Sequence, residues 1–337
     1  MTDALRARPG FHNPEDGPPQ ILGNPPSQSA RGSLTISELQ VLYVGGFKGR
    51  DRSRLHYLAR WAQVIGHLRL DQVDDDVVAD ALHAFQNAPA MRFLGRDKIT
   101  GIPRWKELGH PSPATLNRMR SSLSALFRFA KIRRLAPKGW VNPVLEVPAL
   151  PEDNERRRFL STTERERLLA ACKASGCAKL YLLVVMALST GARRGELLSL
   201  RYGDIDLAEA SAYVRRGKNG EPRVLPLTPV VVRMIVALGH KPAESLLFAS
   251  RYEPTRVLRF DTAWRTALRL ACVADFRFHD LRHSCASYLA QSGVSLLEIA
   301  DVLGHKSLDV TRRYAHLTVT GKRALINKQF SGLGEFQ

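Results

Sequence analysis

The chain has 337 residues, 44% hydrophobic and 24% charged, which is enough length and apolar content for two hydrophobic cores. Lysine and arginine number 50 against 32 acids, a formal net charge of +18. That excess excludes an acidic solvating protein and points to a polyanionic partner, nucleic acid before membrane. Cys172, Cys177, Cys272 and Cys285 are too few for a disulfide scaffold and lack zinc-finger spacing, so reduced cytoplasmic thiols are expected. The longest apolar run, 180–188, is too short to span a bilayer, and the first eight residues lack the apolar core of a secretory signal.

Residues 1–36 carry six prolines among Gly, Ser and Asn, a composition that buries too little apolar surface to order itself, so a disordered tail is expected. A helical pattern starts at Thr35-Ile-Ser-Glu-Leu, with Thr35 or Ser37 as N-cap. Leu55, Leu58, Trp61, Ala62 and Ile65 share one helical face, and Val73, Val77, Val78, Ala81, Leu82 and Phe85 another. The stretch 87–111, punctuated by Pro89, Gly95, Gly101, Pro103 and Gly109, reads as loop. Ser112 then caps a longer helix with Pro113 in its first turn and an apolar stripe from Leu116 to Ala130.

From 113 to 138 there are seven cations and no acid. Such a face is either solvated surface or a phosphate-tracking one, and the charge of the whole chain favours the second. The candidate DNA contacts are Arg118, Arg120, Arg128, Lys131, Arg133 and Arg134. Pro143, Pro148 and Pro151 and the charged run after them place a linker at 146–158. It separates a domain at 37–145 from one at 159–320, with a tail at 321–337. Residues 1–150 hold 21 basic and 13 acidic residues (+8) and 151–337 hold 29 and 19 (+10). Both halves are basic, so DNA is expected between them.

In the second half a helix is expected from Thr162 and a buried one over 180–188. Two strand-like pieces, 212–216 and 223–227, flank Gly217-Lys218-Asn219-Gly220, a strong hairpin signal. Helices are expected from Arg256 onward. Five pieces carry possible chemistry. Thr190-Gly-Ala-Arg193-Arg-Gly-Glu196-Leu puts Arg193 at a helix start, where it binds an anion or merely pairs with Glu196 at i+3. Lys218 at the hairpin tip is a swinging ammonium or a solvated turn residue. In His279-Asp-Leu-Arg282-His283 an imidazole and a guanidinium suit a phosphate, while the paired histidines lack a third zinc ligand. Leu303-Gly304-His305 places His305 in an interhelical turn, or else 295–303 opens a helix-turn-helix with 311–314 on its recognition helix. Tyr314, in Thr311-Arg-Arg-Tyr-Ala-His316, reads on its own as an amphipathic packing residue.

Taken in order, Arg, hairpin Lys, His-x-x-Arg-His and Leu-Gly-His-x5-Thr-x-x-Tyr-x-His resemble the tyrosine recombinase (phage integrase) family from about 159 to 317. Ser112-Pro-Ala-Thr-Leu-Asn-Arg, the basic helix after it and Asn142-Pro143 resemble that family's core-binding domain. The resemblance implies a mainly α fold with a small antiparallel β-sheet, a two-domain DNA clamp. It also implies site-specific recombination through a 3′-phosphotyrosine, with Tyr314 as nucleophile. Arg193 and Arg282 grip the scissile phosphate, Lys218 protonates the leaving 5′-oxygen, His279 assists proton transfer with the tyrosine, and His305 donates to a phosphate oxygen. His283, Asp280 and Glu196 read as structural or supporting. Arginine supplies the charge stabilisation, so no cofactor and no metal are expected. The expected partners are double-stranded DNA, three further copies in a homotetramer on it, and accessory directionality or DNA-bending proteins, with no membrane. The tail, with Ala324, Leu325, Ile326, Phe330, Leu333 and Phe336, is expected to dock on a neighbouring protomer. The expected role is the integrase of a phage or other mobile element. Rival readings are a chromosome-dimer-resolving recombinase of the family, a type IB topoisomerase, and a non-catalytic helix-turn-helix regulator.

Overall fold

A computed structural model of the protein describes residues 33–49, 51–89, 91–97, 99–153, 158–215, 222–317, 326–327 and 329–330. The chain divides into two compact units, 1–155 and 156–337. The fold class is mainly α with small antiparallel sheets. Among the described residues, no helix is long and apolar enough to cross a membrane.

In the first unit Thr35, not Ser37, caps α1 (Ile36–Gly45). Its hydroxyl accepts the Glu38 N–H at 3.2 Å while the Glu38 carboxylate accepts the Thr35 N–H at 2.8 Å. Ile36 is fully buried, so the ordered structure begins inside the expected tail; residues 1–32 lie outside the described ones. α2 (Ser53–Ile65), α3 (Asp75–Asn87) and α4 (Pro113–Ile132) follow the apolar periodicity. Leu58, Trp61, Phe85, Met119, Leu123 and Phe127 meet in one core, each contributing about 1.5–3 kcal/mol by burial. Trp61 donates its indole N–H to the Met119 carbonyl at 2.9 Å, so the ring enters the core without an orphaned donor.

The segment 87–111 departs from expectation. It contains an antiparallel hairpin, β1 (Met91–Arg96) and β2 (Pro103–Glu107), with a register shift between Phe93 and Gly95. Three of the five residues read as loop punctuation lie inside the hairpin: Gly95 at the shift (φ +105°), Gly101 near the tip (φ +68°), and Pro103 as first residue of its strand. α4 ends where Arg134 takes φ +57° and the Leu135 N–H closes on the Ala130 carbonyl at 2.8 Å.

In the second unit Ser161 and Glu164 form the capping box of α5 (Thr162–Lys173). α6 (Leu180–Thr190) is buried on most of its circumference, which is why its sequence is apolar without periodicity. α7 (Arg194–Ser199) leads to a three-stranded antiparallel sheet in the order β3 (Ile205–Asp206), β4 (Ser211–Val214), β5 (Arg223–Pro226). The sequence signals only β4 and β5, since a two-residue strand has no period to read. The turn between them, with Lys218, lies outside the described residues. After α8 (Pro229–Ala237), helix resumes at α9 (Asp261–Leu270) rather than at Arg256. There Val257 forms a β-bridge to Ala249 and the Leu258 N–H bonds to the Phe248 carbonyl, so the backbone is committed to extended pairing.

α10 (Asp280–Gln291) packs on α6, and α11 (Leu296–Leu303) on α10. α12 (Asp309–Arg312) is one turn long. Tyr314 beyond it is buried with Ala286, Ala290, Ile299 and Leu303. A recognition helix must offer exposed side chains over several turns, so the helix-turn-helix reading of 295–314 does not describe this segment. Of the tail at 321–337, only 326–327 and 329–330 are described.

Candidate active site

The site forms where helix ends converge. α6 terminates at Gly191 in the left-handed region, φ +60°, and a Cβ there would lie 2.3 Å from Leu303 Cδ2. Only glycine fits both conditions. The Gly191 carbonyl, freed by the end of the helix, accepts Nη1 of Arg282 at 2.7 Å. Arg282 is 4% exposed, and its Nη2 is buried without a partner among the described residues. Burial, then the nearby Arg193 and Arg223 guanidiniums, push Arg282 down to about 10, which leaves it a cation at neutral pH.

Arg193 is the N-cap residue of α7. Its backbone N–H donates to Glu196 Oε2 at 2.9 Å and its Nη1 to Oε1 at 2.8 Å. Arg193 therefore pairs with Glu196 and at the same time lines a cavity with Arg282. Glu196 also accepts Nη2 of Arg223 at 2.7 Å, while Arg223 Nη1 reaches the Val302 carbonyl at 2.5 Å. Burial raises the Glu196 carboxyl, but Arg223 and the N–H and guanidinium of Arg193 outweigh it and hold the group below its ordinary value. Arg223 was not found from sequence, since one arginine at a strand start carries no signal.

His279 is the N-cap residue of α10 rather than part of its first turn, and its ring lies 5.5 Å from that of His283, nearly perpendicular. Gly304 closes α11 with φ +65°, and His305 follows with Nδ1 2.7 Å from the Thr311 hydroxyl. Burial and then Arg282, Arg193 and Arg313 push His305 down to about 4, so it is neutral near pH 7. The Tyr314 hydroxyl lies 2.6 Å from Nδ1 of His283. Burial pushes the phenol up to about 12, and burial, then His279, pushes His283 down to about 4.

Arg193, His279, Arg282, His283, His305 and Tyr314, with Lys306 and Arg313, line one open cavity of about 370 Å³. None of the described residues lining it is a carboxylate. Guanidiniums, neutral imidazoles and a protonated phenol around such a cavity suit a phosphodiester oxyanion and a hydroxyl nucleophile. Of the six expected catalytic residues five meet here, and Lys218 lies outside the described residues. Among those residues, no group of three His, Cys, Asp or Glu is placed to hold a metal ion.

On α4 and its end, Arg118, Arg128, Lys131, Arg133 and Arg134 are exposed. Arg120 is the exception. Its Nε donates to the Val147 carbonyl at 2.6 Å, so its guanidinium anchors the segment after α4 and does not stand free with the others.

Residues 158–320 match the phage integrase family. The chain is 31% identical over 290 residues to the integrase of Salmonella phage P22, spanning 79% of this chain and 71% of that protein. It is 33% identical over 209 residues to the shufflon-specific DNA recombinase of Escherichia coli, covering 61% of this chain and about half, 52%, of that one. Among solved structures, the Tn1549 transposon integrase in complex with transposon right end DNA aligns with a TM-score of 0.63 at 18% identity, covering 88% of this chain and 99% of that one. A lambda integrase tetramer bound to a Holliday junction aligns with a TM-score of 0.59 at 19% identity, covering 83% and 76%. These two show a shared fold. Fold, family match and the P22 relative together establish that the chain belongs to the tyrosine recombinase (phage integrase) family, enzymes that cut and rejoin DNA at specific sites.

Proposed function

We propose that the protein is the integrase of a phage or other mobile element, working on double-stranded DNA as a homotetramer in the cytoplasm. The observation that carries the site assignment is the buried Nη2 of Arg282, without a partner among the described residues, on a side chain that lines the same cavity as Tyr314. An unsatisfied buried donor costs about 1–3 kcal/mol, and a non-bridging phosphate oxygen satisfies it. In this reading Arg282 and Arg193 stabilise charge on the pentacoordinate phosphorus. Tyr314 attacks it, and the 5′-oxygen leaves with a proton from Lys218, a role that rests on the hairpin motif alone. His305, neutral and with Nδ1 engaged by the Thr311 hydroxyl, donates Nε2–H to the phosphate, and His279, which lines the same cavity, assists proton transfer. Similarity to P22 integrase over 79% of the chain supports the mobile-element role. The archaeal recombinase XerA of Saccharolobus solfataricus, 31% identical over 55% of the chain, keeps chromosome resolution as the second reading.

The test uses a DNA site nicked just beyond the cleavage point, so that the short 5′-hydroxyl fragment diffuses away and the covalent complex accumulates. Wild type is expected to form a denaturation-resistant adduct in EDTA and without nucleotide, and Tyr314→Phe to form none while still binding the site. An adduct with Tyr314→Phe would move the nucleophile elsewhere.

A further inference from the structure

Given Tyr314 as nucleophile, its proton needs an acceptor. The resemblance assigns that assistance to His279 and leaves His283 as structural. The geometry points elsewhere: we propose that Nδ1 of His283 takes the Tyr314 hydroxyl proton as the strand is cut and returns it as the strand is rejoined.

Three observations carry this. The first is distance: Nδ1 of His283 is 2.6 Å from the hydroxyl oxygen, within the range of direct proton transfer, while the His279 ring packs 5.5 Å from the His283 ring. The second is topology. His283 is one helical turn along α10 from His279, the next residue after Arg282, so the residue that grips phosphate and the residue that meets the nucleophile are neighbours on one rigid helix. The third is chemistry. A phenol that attacks phosphorus must turn a lone pair toward it and its proton away, and a neutral imidazole offers an unprotonated nitrogen for that proton.

Among the described residues, the charged and titratable groups facing His283 are His279, Asp280 and Arg282 from its own helix, Arg313 and Tyr314 from the segment after α12, and His316, which lines a smaller cavity with His283 and Tyr314. His305, Lys306 and Arg193 share the larger cavity. Apart from Asp280 these are cationic or neutral, and with burial they keep the imidazole unprotonated at neutral pH. A phosphodiester entering between Arg193 and Arg282 adds negative charge and makes His283 more basic when the base is needed. In cleavage the Tyr314 O–H bond breaks, the O–P bond forms and the P–O5′ bond breaks. One proton arrives on Nδ1 and a second passes from the general acid to the 5′-oxygen. In rejoining, the imidazolium, destabilised among cations, protonates the departing phenolate.

The experiment is single-turnover cleavage of the nicked site by the full chain, comparing wild type, His283→Asn, His283→Gln and His279→Asn across pH 6–10. Asparagine places an amide near Nδ1 and keeps a hydrogen bond, but it cannot hold a proton. A parallel substrate carries sulfur at the bridging 5′ position, whose departure needs no general acid. His283→Asn is expected to bind the site as wild type does and to cleave about 10²–10⁴-fold more slowly at neutral pH. Its rate should climb about tenfold per pH unit as the phenol ionises, and the sulfur substrate should not rescue it. His283→Gln, which reaches a different position, gives the same result if asparagine perturbs folding. Cleavage by either variant within about threefold of wild type with an unchanged pH profile would overturn the proposal. Rescue by sulfur would make His283 an acid for the leaving group instead. The same pH climb in His279→Asn, with His283→Asn flat, would return the role to His279. Each of those results leaves Tyr314 as nucleophile intact, because that reading falls only if Tyr314→Phe still forms the adduct.

Discussion

Replacing Glu196 with glutamine removes one charge and almost no volume from the centre of the site. The side chain is 3% exposed and joins two arginines, Arg193 at 2.8 Å and Arg223 at 2.7 Å. Removing one member of a fully buried ion pair costs about 3–5 kcal/mol. Here the two guanidiniums keep 21% and 14% exposure, and the amide oxygen retains one hydrogen bond. The lower end applies, about 3 kcal/mol, or about 160-fold in the unfolding constant. The pH dependence has a definite sign. The folded-state carboxyl lies below its ordinary value of 4.5, so its contribution is complete above that pH and lost as pH falls through the depressed folded value. Urea unfolding should be followed by hydrogen exchange in peptides from 180–199 and 281–291, which report this unit alone. The midpoint of Glu196→Gln should lie well below wild type at pH 7.5, and the gap should narrow as pH falls below 4.5 and close below the depressed folded value. Equal midpoints at pH 7.5, or a gap that persists in acid, would refute the view that this carboxylate neutralises the arginine pair.

Two further substitutions test the frame around the site. Gly191→Ala meets a left-handed backbone, costing about 1–2 kcal/mol, and a Cβ contact 2.3 Å from Leu303, costing about 1–3 kcal/mol more. It should destabilise the second unit in the same urea assay and slow adduct formation, because the displaced carbonyl is the one that holds Arg282. Arg134→Gly relieves φ +57° at the end of α4 and should stabilise the first unit by up to about 1 kcal/mol. If Arg134 also contacts a phosphate, the slope of log affinity against log salt should fall by about 0.9, measured by fluorescence anisotropy with labelled DNA.

What was legible in the sequence was local. Caps such as Thr35 and Ser112 bond to N–H groups three residues away, and apolar periodicity reports a face whatever that face packs against. The hairpin at 91–107 was not legible because its glycines and proline, ordinarily chain breakers, sit at a register shift, a tip and a strand start. Arg120 read as one of a row of cations, yet its partner is a carbonyl 27 residues away. Arg223 and the second bond of Glu196 are likewise contacts between β5 and α7, with no trace in spacing. The family motifs named the cavity's residues, but not which imidazole nitrogen meets the phenol. That depends on the ring planes of two side chains 31 residues apart.

The same physics explains why the site is built on helix ends. Arg282 and Arg223 each leave a buried N–H without a partner among the described residues, and Arg282 is pushed toward losing its proton by burial and by its neighbours. One shared carboxylate, Glu196, offsets only part of that repulsion. Buried donors without a partner cost about 1–3 kcal/mol each, and here they sit beside the packed core of α6, α10 and α11. In the proposed reading, a phosphate entering the cavity satisfies the Arg282 donor and cancels charge together, and a pentacoordinate phosphorus carrying more negative charge does so more fully. Stabilisation that grows from bound phosphate to transition state raises the rate and not only the affinity. Arginines fixed by a glycine carbonyl and a buried glutamate need not reorganise to provide it.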